Sequence, residues 1–228
     1  STQQLNSNVI VPSAFHDGRG VGLYAAPLIE YHLPDTRLGV MFQAGYDSRR
    51  GTFDEVKTPC NCPADLKTDL SYLTVEPSLR LAPFKSNFYV YGGPRFAYNV
   101  TKAFTYRQGI NPDVPEQKEN PDVNGDMNSI NKILISMQVG AGYDIPLTAK
   151  GKRTQVVLSP FVAFQPYYGQ DPRSIETWNI TTMRVGAALK FGCVRNKKSA
   201  RLQNTESMGK SAARFSVVSP KNITVDRR

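Results

Sequence analysis

Seven stretches of this chain keep two chemically different faces apart. In Val21–His32, one parity holds Val21, Leu23, Ala25, Pro27, Ile29 and Tyr31, and Glu30 falls on the other. In Leu70–Ala82, Leu73, Val75, Pro77, Leu79 and Leu81 oppose Glu76, Ser78 and Arg80. In Asn87–Tyr106, Val90, Pro94, Phe96, Tyr98 and Val100 oppose Arg95, Ala97 and Asn99. Asn131–Ile145 sets Ile133, Ile135, Met137, Val139, Ala141, Tyr143 and Ile145 against Lys132, Ser136, Gln138, Gly140, Gly142 and Asp144. Ile175–Phe191 sets Met183, Val185, Ala187, Leu189 and Phe191 against Arg184, Gly186, Ala188 and Lys190. Leu38–Asp47 and Thr154–Tyr168 complete the set. Successive side chains of a strand point to opposite faces, so every stretch reads as a strand, apolar on one side and ionic on the other.

Three features separate this pattern from a water-soluble sandwich. The stretches exceed the usual five or six residues of a soluble strand. Glycine and alanine gather on the ionic face, where a narrow tube needs small residues. That face also carries both signs, Glu30, Asp47, Glu76 and Asp144 against Arg80, Arg95, Lys132, Arg184 and Lys190. Charges enclosed in a lumen must be paired, whereas a solvated face needs no balance. The expected fold is therefore all-β: an up-and-down antiparallel transmembrane barrel of about eight strands.

Mean hydropathy is −0.38, unremarkable for a soluble protein. No apolar run approaches the ~18 residues of a membrane helix. A barrel strand needs only ~10 residues of alternating character. Short polar connections, "LPDTR", "PFKS" and "LTAKGKR", alternate with longer ones, Ser48–Asp69, Arg107–Ile130 and "GQDPRS". Short turns at one end and long loops at the other fit such a barrel. Single-chain bacterial barrels have even strand numbers, so seven strands predict an eighth, expected upstream of Ser1, with residues 1–18 as an outer loop. Pro27, Pro77, Pro94 and Pro160 fall on the apolar face, where each costs a ladder bond, and bulges or strand ends are expected there.

The net charge of +9 is uneven. From Cys193 onward nine basic residues face only Glu206 and Asp226, so the last 36 residues carry +7 and the rest +2. This divides the chain into a barrel, 1–192, and a basic extended tail, 193–228, read as a periplasmic linker toward a downstream domain. No nucleic-acid-binding face is expected. The opening "STQQLNSNVIVPS" shows no signal peptide, as in a processed chain.

"LYAAPLIEY", "SLRLAPFKSNFYVYGGPRF" and "QVGAGYDIPL" resemble OmpA/PorT-like outer-membrane β-barrel domains of Gram-negative bacteria. The likeness covers about Val21–Gly192 and rests on strand patterning. It implies the bacterial outer membrane, its lipid as partner, and, in larger members of this type, a following periplasmic domain that binds peptidoglycan.

The remaining candidates are few. Cys60 and Cys62 could form a local disulfide; with Cys193 they make an odd count, which argues against a disulfide framework. Asp122, Asn124 and Asp126 have the spaced oxygens of a weak Ca²⁺ site, without the rest of a calcium loop. A rim hydrolase would have to use one of the two histidines, His16, beside Asp17 with Ser13 nearby, or His32, which is expected to be solvated at a turn. No cofactor motif is present, and an enzyme is not expected. The reading is a structural barrel that anchors a periplasmic part, through it peptidoglycan, or serves as a subunit of a larger outer-membrane complex. A small-solute channel, a rim enzyme and a soluble all-β binding module stay open at this point.

Overall fold

A computed structural model of the chain describes residues 3–5, 8, 10–11, 15, 18–58, 60–84, 86–114, 116–118, 120–149, 154–167, 170–174, 179–193 and 213–226. For residues 3, 11, 54–57, 193 and 213–226 only the backbone is described. Eight strands form the wall: β1 Gly18–His32, β2 Leu38–Lys57, β3 Pro63–Leu81, β4 Phe88–Gln108, β5 Ile133–Tyr143, β6 Thr154–Gln165, β7 Ile180–Cys193 and β8 Ala213–Asp226. Each pairs antiparallel with its neighbours in chain order, from β1–β2 through β7–β8. β8 then pairs with β1, and the ring is closed.

The place expected for a strand upstream of Ser1 is filled from within the chain. Residues 213–226, read above as tail, take its place between β7 and β1. The segment "ARFSVVSPKNITVD" hid because Pro220 interrupts it, and Arg214 and Lys221 fall on opposite parities, so neither face is cleanly apolar. A linker leading away from the short-turn end is thus replaced, over 213–226, by a wall strand.

The outer face is apolar, as the alternation predicts. Leu38, Val40, Phe42 and Tyr46 of β2, Leu73, Val75, Leu79 and Leu81 of β3, and Ile133, Ile135, Met137 and Val139 of β5 are all exposed. From Leu38 to Tyr46 this band covers about 26 Å along the strand, or roughly 20 Å across a membrane at a tilt of ~40°. Tyr31 and Tyr143 lie beside the short turns, and Tyr46 and Tyr98, joined in register through Leu73, mark the opposite border. Tyrosines at both borders match the aromatic girdles of membrane barrels.

The inner face is packed by large side chains opposite small ones. Tyr89 pairs in register with Gly142 and Tyr91 with Gly140. A Cβ at either glycine would lie 2.5 Å from the facing tyrosine ring, so these glycines are what lets two buried tyrosines fit into the tube.

Of the prolines on the apolar face, three stand opposite skips in the ladder. Pairing of β3 with β4 jumps from Val75↔Phe96 to Leu79↔Gly92. That register places Pro77 directly opposite Pro94, so two missing N–H donors share one rung. Pairing of β1 with β2 likewise skips Ala26 and Pro27. Register is kept across both gaps, contrary to the bulges expected there. Pro160, also read as a bulge or strand-end residue, keeps its pairing with Ala187 inside β6. The register shifts instead lie at Phe53/Val56 and Ser71/Tyr72, outside the proline sites.

β2, β3 and β4 run to 20, 19 and 21 residues, against 11 and 12 in β5 and β6. Their excess rises past the apolar band at the long-loop end. Most of Ser48–Asp69, expected as a loop, is therefore paired strand, with only 58–62 as connection. The expected loop Arg107–Ile130 likewise contains a short strand, Val123–Asp126, paired to β4. Under this rim Leu5, Phe15, Ala64, Leu66, Phe104, Tyr106 and Met127 form a separate buried cluster.

Candidate functional site: an ionic lumen beneath an extended rim

Two ion clusters fill the lumen, one above the other. The cluster near the short turns centres on Glu30 and Asp144. Arg80 donates to Glu30 at 2.6 Å and to Asp144 at 2.8 Å. Lys190 Nζ lies 2.8 Å from Glu30 and 3.0 Å from Asp144. Ser159 Oγ also donates to Asp144. The Tyr89 ring receives Arg80 at 4.1 Å and Lys190 at 4.6 Å, so cation–π contacts add to the ion pairs. His32 sits with its Nε2 2.6 Å from Glu30 and is in contact with Arg80. It belongs to this cluster, not to solvent alone.

The second cluster centres on Asp47 and Glu76. Arg95 bridges them, at 2.5 Å to Asp47 and 3.0 Å to Glu76. Arg184 reaches Glu76 at 3.0 Å, and its guanidinium lies 3.7 Å above the Tyr24 ring. Arg49 donates to Asp47 at 3.0 Å and, across the barrel, to Gln165 at 2.9 Å. Between the clusters Gln138 donates to Ser78. Glu30, Asp47, Glu76 and Lys190 are fully buried, and Arg80, Arg95 and Arg184 are at most 5 % exposed.

Of the nine lumenal charges read from the sequence, the structure brings eight together. Lys132 is the exception: it is exposed and joins neither cluster. It lies one residue above the last rung between β4 and β5, Tyr98↔Ile133, where the strand ends. Arg49 was missed, although it shares the parity of Asp47, because β2 was ended at Asp47. Tyr24, Tyr72, Tyr89 and Gln165 were missed for want of a signal, since none is charged.

The other candidates fall at the rim. Cys60 and Cys62 are joined in a disulfide at the tip of the β2–β3 hairpin. Asp122, Asn124 and Asp126 do not form a calcium site. They follow one exposed side of the short strand beside β4 and the residue before it, so that Asp122 and Asp126 stand ~13 Å apart along the backbone and the three do not converge on one ion. Asp122 is bound at both oxygens by Arg107, at 2.9 and 3.0 Å, and Asn124 accepts from Thr105 at 2.7 Å. The hydrogen bonds from Arg107 hold the Asp122 carboxyl below its usual range. No metal-binding group of three or more His, Cys, Asp or Glu residues occurs among the described residues. Ser13, His16 and Asp17 lie outside the described residues.

An apolar outer belt, two aromatic borders and a lumen of paired ions define a transmembrane β-barrel. The particular family follows from sequence: the model of the outer membrane protein beta-barrel domain matches residues 8–156, well over half the chain, and the chain belongs to that family. It resides in the bacterial outer membrane, in contact with its lipid. No curated protein matches the sequence. Among solved structures, the transport unit of the autotransporter AIDA-I from Escherichia coli aligns over 99 % of this chain and 93 % of that chain, at 8 % identity and a TM-score of 0.29. A likeness that low has no bearing on function.

Proposed function

We propose that this domain is a structural, non-conducting barrel that serves as a membrane-embedded subunit of a larger outer-membrane assembly and offers its raised rim as the contact surface. The observation that carries the reading is the lumen itself. Seven ionised side chains at most 5 % exposed cross-link β1, β2, β3, β4 and β7 through its middle. A barrel of about eight strands has an interior just wide enough for side chains to fill. The rim supports a docking role because it is built as a folded body with its own apolar cluster.

Anchoring of a periplasmic part, and peptidoglycan through it, is the weaker form of this reading, since 213–226 returns through the wall. The channel reading requires the clusters to open, and the enzyme reading has no described triad to rest on. The test is a planar-bilayer recording of the refolded chain at neutral pH and moderate salt. Silence, with protease-protected insertion into liposomes, is expected. Stable unitary conductance abolished by Glu76→Gln or Arg95→Gln would replace the structural reading by the channel. Full extraction by carbonate would remove the membrane role altogether.

A further inference from the structure

We propose that the Cys60–Cys62 pair is a thiol–disulfide exchange site, with Cys60 as the sulfur that meets a thiol borne on a partner polypeptide and Cys62 as the sulfur that resolves it. The pair caps the β2–β3 hairpin at the long-loop end, where the strands stand above the apolar band. As a staple it does little. A cross-link restrains the unfolded chain in proportion to the loop that it closes, and these residues are two apart. The hairpin is also closed without it, by the β2–β3 ladder and by Thr58 N donating to the Cys62 carbonyl at 3.0 Å.

The two sulfurs stand in different surroundings. Cys60 is exposed, and exposed disulfides are the readily exchanged ones; Cys62 is 0 % exposed. An incoming thiolate therefore meets Cys60. Gln108 Nε2, at the end of β4, donates to Cys60 Sγ at 3.3 Å. Thr58 Oγ1 lies 2.9 Å from the same sulfur and 3.1 Å from the Cys62 carbonyl oxygen. Its one proton can turn to Cys60 when that sulfur gains charge, because donors bind an ionised acceptor more strongly. Cys62 Sγ instead lies 3.5 Å from the Cys60 carbonyl oxygen, an acceptor that suits a thiol.

The turn between them is held independently of the bridge. Asn61 has a φ of 57°, in the left-handed region that asparagine tolerates. Its N–H donates to the Thr58 carbonyl at 2.9 Å, and its Nδ2 donates to Asp113 at 3.0 Å. The two Cα atoms are brought to 5.3 Å, inside the range that a disulfide spans. The thiols thus stay neighbours when the bridge opens. In the reaction a partner thiolate attacks Cys60 Sγ, the Cys60–Cys62 bond breaks, and Cys62 leaves with the electron pair and takes a proton from water. A second partner thiolate attacks the partner's sulfur in the mixed disulfide and expels Cys60 as thiolate. Two partner thiols are oxidised to one disulfide, and the cysteine pair is reduced to the dithiol. A disulfide-bearing molecule restores the bridge by the same steps reversed, Cys60 attacking and Cys62 closing.

The experiment uses the full refolded chain in detergent micelles, with Cys193→Ser so that the pair alone reports. In glutathione redox buffers, intact mass after acid quenching should show the pair passing reversibly between disulfide and dithiol within minutes, with the gel band of the folded barrel unchanged. Given glutathione disulfide, reduced Cys62→Ser should gather a mixed disulfide about tenfold faster than reduced Cys60→Ser, in line with the access of each sulfur. A peptide with two cysteines should be oxidised by the wild-type pair and by neither variant. If a variant fails to refold, the wild-type equilibrium and peptide oxidation decide. A pair that exchanges only after the barrel unfolds, equal adduct rates in the two variants, or exchange with glutathione that leaves the peptide reduced would each overturn the proposal.

Discussion

At the residue scale, burial makes the ion clusters sensitive to single changes. Glu76 faces both Arg95 and Arg184, so Glu76→Gln leaves these two buried guanidiniums to share Asp47 with Arg49. Breaking a buried pair in this way costs about 3–5 kcal/mol. The urea midpoint of the refolded protein, read from the shift between folded and unfolded gel bands, should fall accordingly. Lys132→Gln is the control and should change stability by less than about 0.5 kcal/mol, because its side chain is in water. Steric fit gives a second prediction. Gly140→Val drives a side chain into the Tyr91 ring, at about 1–3 kcal/mol, and Tyr91→Ala in the same chain should restore part of the loss. The charges were legible in the sequence because parity alone separates Arg95 from Phe96. The tyrosines were not, because tyrosine suits a lipid border as well as a packed lumen, so the buried Tyr89, though on the parity of Arg95, carries no mark that the exposed Tyr98 lacks.

At the scale of the element, the prolines and the bulge behave differently from what single strands suggest. Pro77 and Pro94 meet on one rung, a relation between strands that no reading of one strand can show. Replacing both by valine should let a rung form and stabilise the barrel by about 1–2 kcal/mol in the same urea assay, more than the two single changes together. At the β3–β4 register shift, one extra residue of β4 changes which parity is buried, from Arg95 and Ala97 below to Phe104 and Tyr106 above. Deleting Val100 should therefore expose Phe104 and Tyr106, detectable as faster proteolysis of the rim with the membrane part intact. The strand ends beyond the apolar band were misread as loops for a related reason. With water rather than lipid on the outside, rim residues 48–57 need no strict alternation. The Arg107–Asp122 tie gives the rim a pH dependence. The depressed Asp122 carboxyl strengthens it above the ordinary aspartate range, and that support is lost as pH falls through the depressed value. Amide signals of Val123–Asp126 should shift in that acidic window at the wild type's rim and be indifferent there in Asp122→Asn.

For the whole molecule, the division into a greasy exterior and an ionic interior was readable because a period of two survives any amount of twist and tilt. Closure was not readable. It depends on β8, whose sequence has no clean faces and is recognised only by the two edges it satisfies. The barrel's existence was thus a property of the pattern, and its completeness a property of the pairing. If the lumen is sealed as described, unfolding should be a single cooperative event. The unheated protein should run as one compact band that gives way to one slower band on heating, with no partly opened species between them.

The pairing of β8 with β1 also dictates an order of events. Val21 cannot find its partner Ile223 until some two hundred residues between them have crossed to the site of assembly. Until that moment the early hairpins have a raw edge on each side, one belonging to β1 and the other to the newest strand, each able to recruit a stranger. Biogenesis of this protein should for that reason lean on a factor that shields or templates open edges, and chains halted before Ala213 should accumulate as intermolecular adducts rather than as smaller barrels.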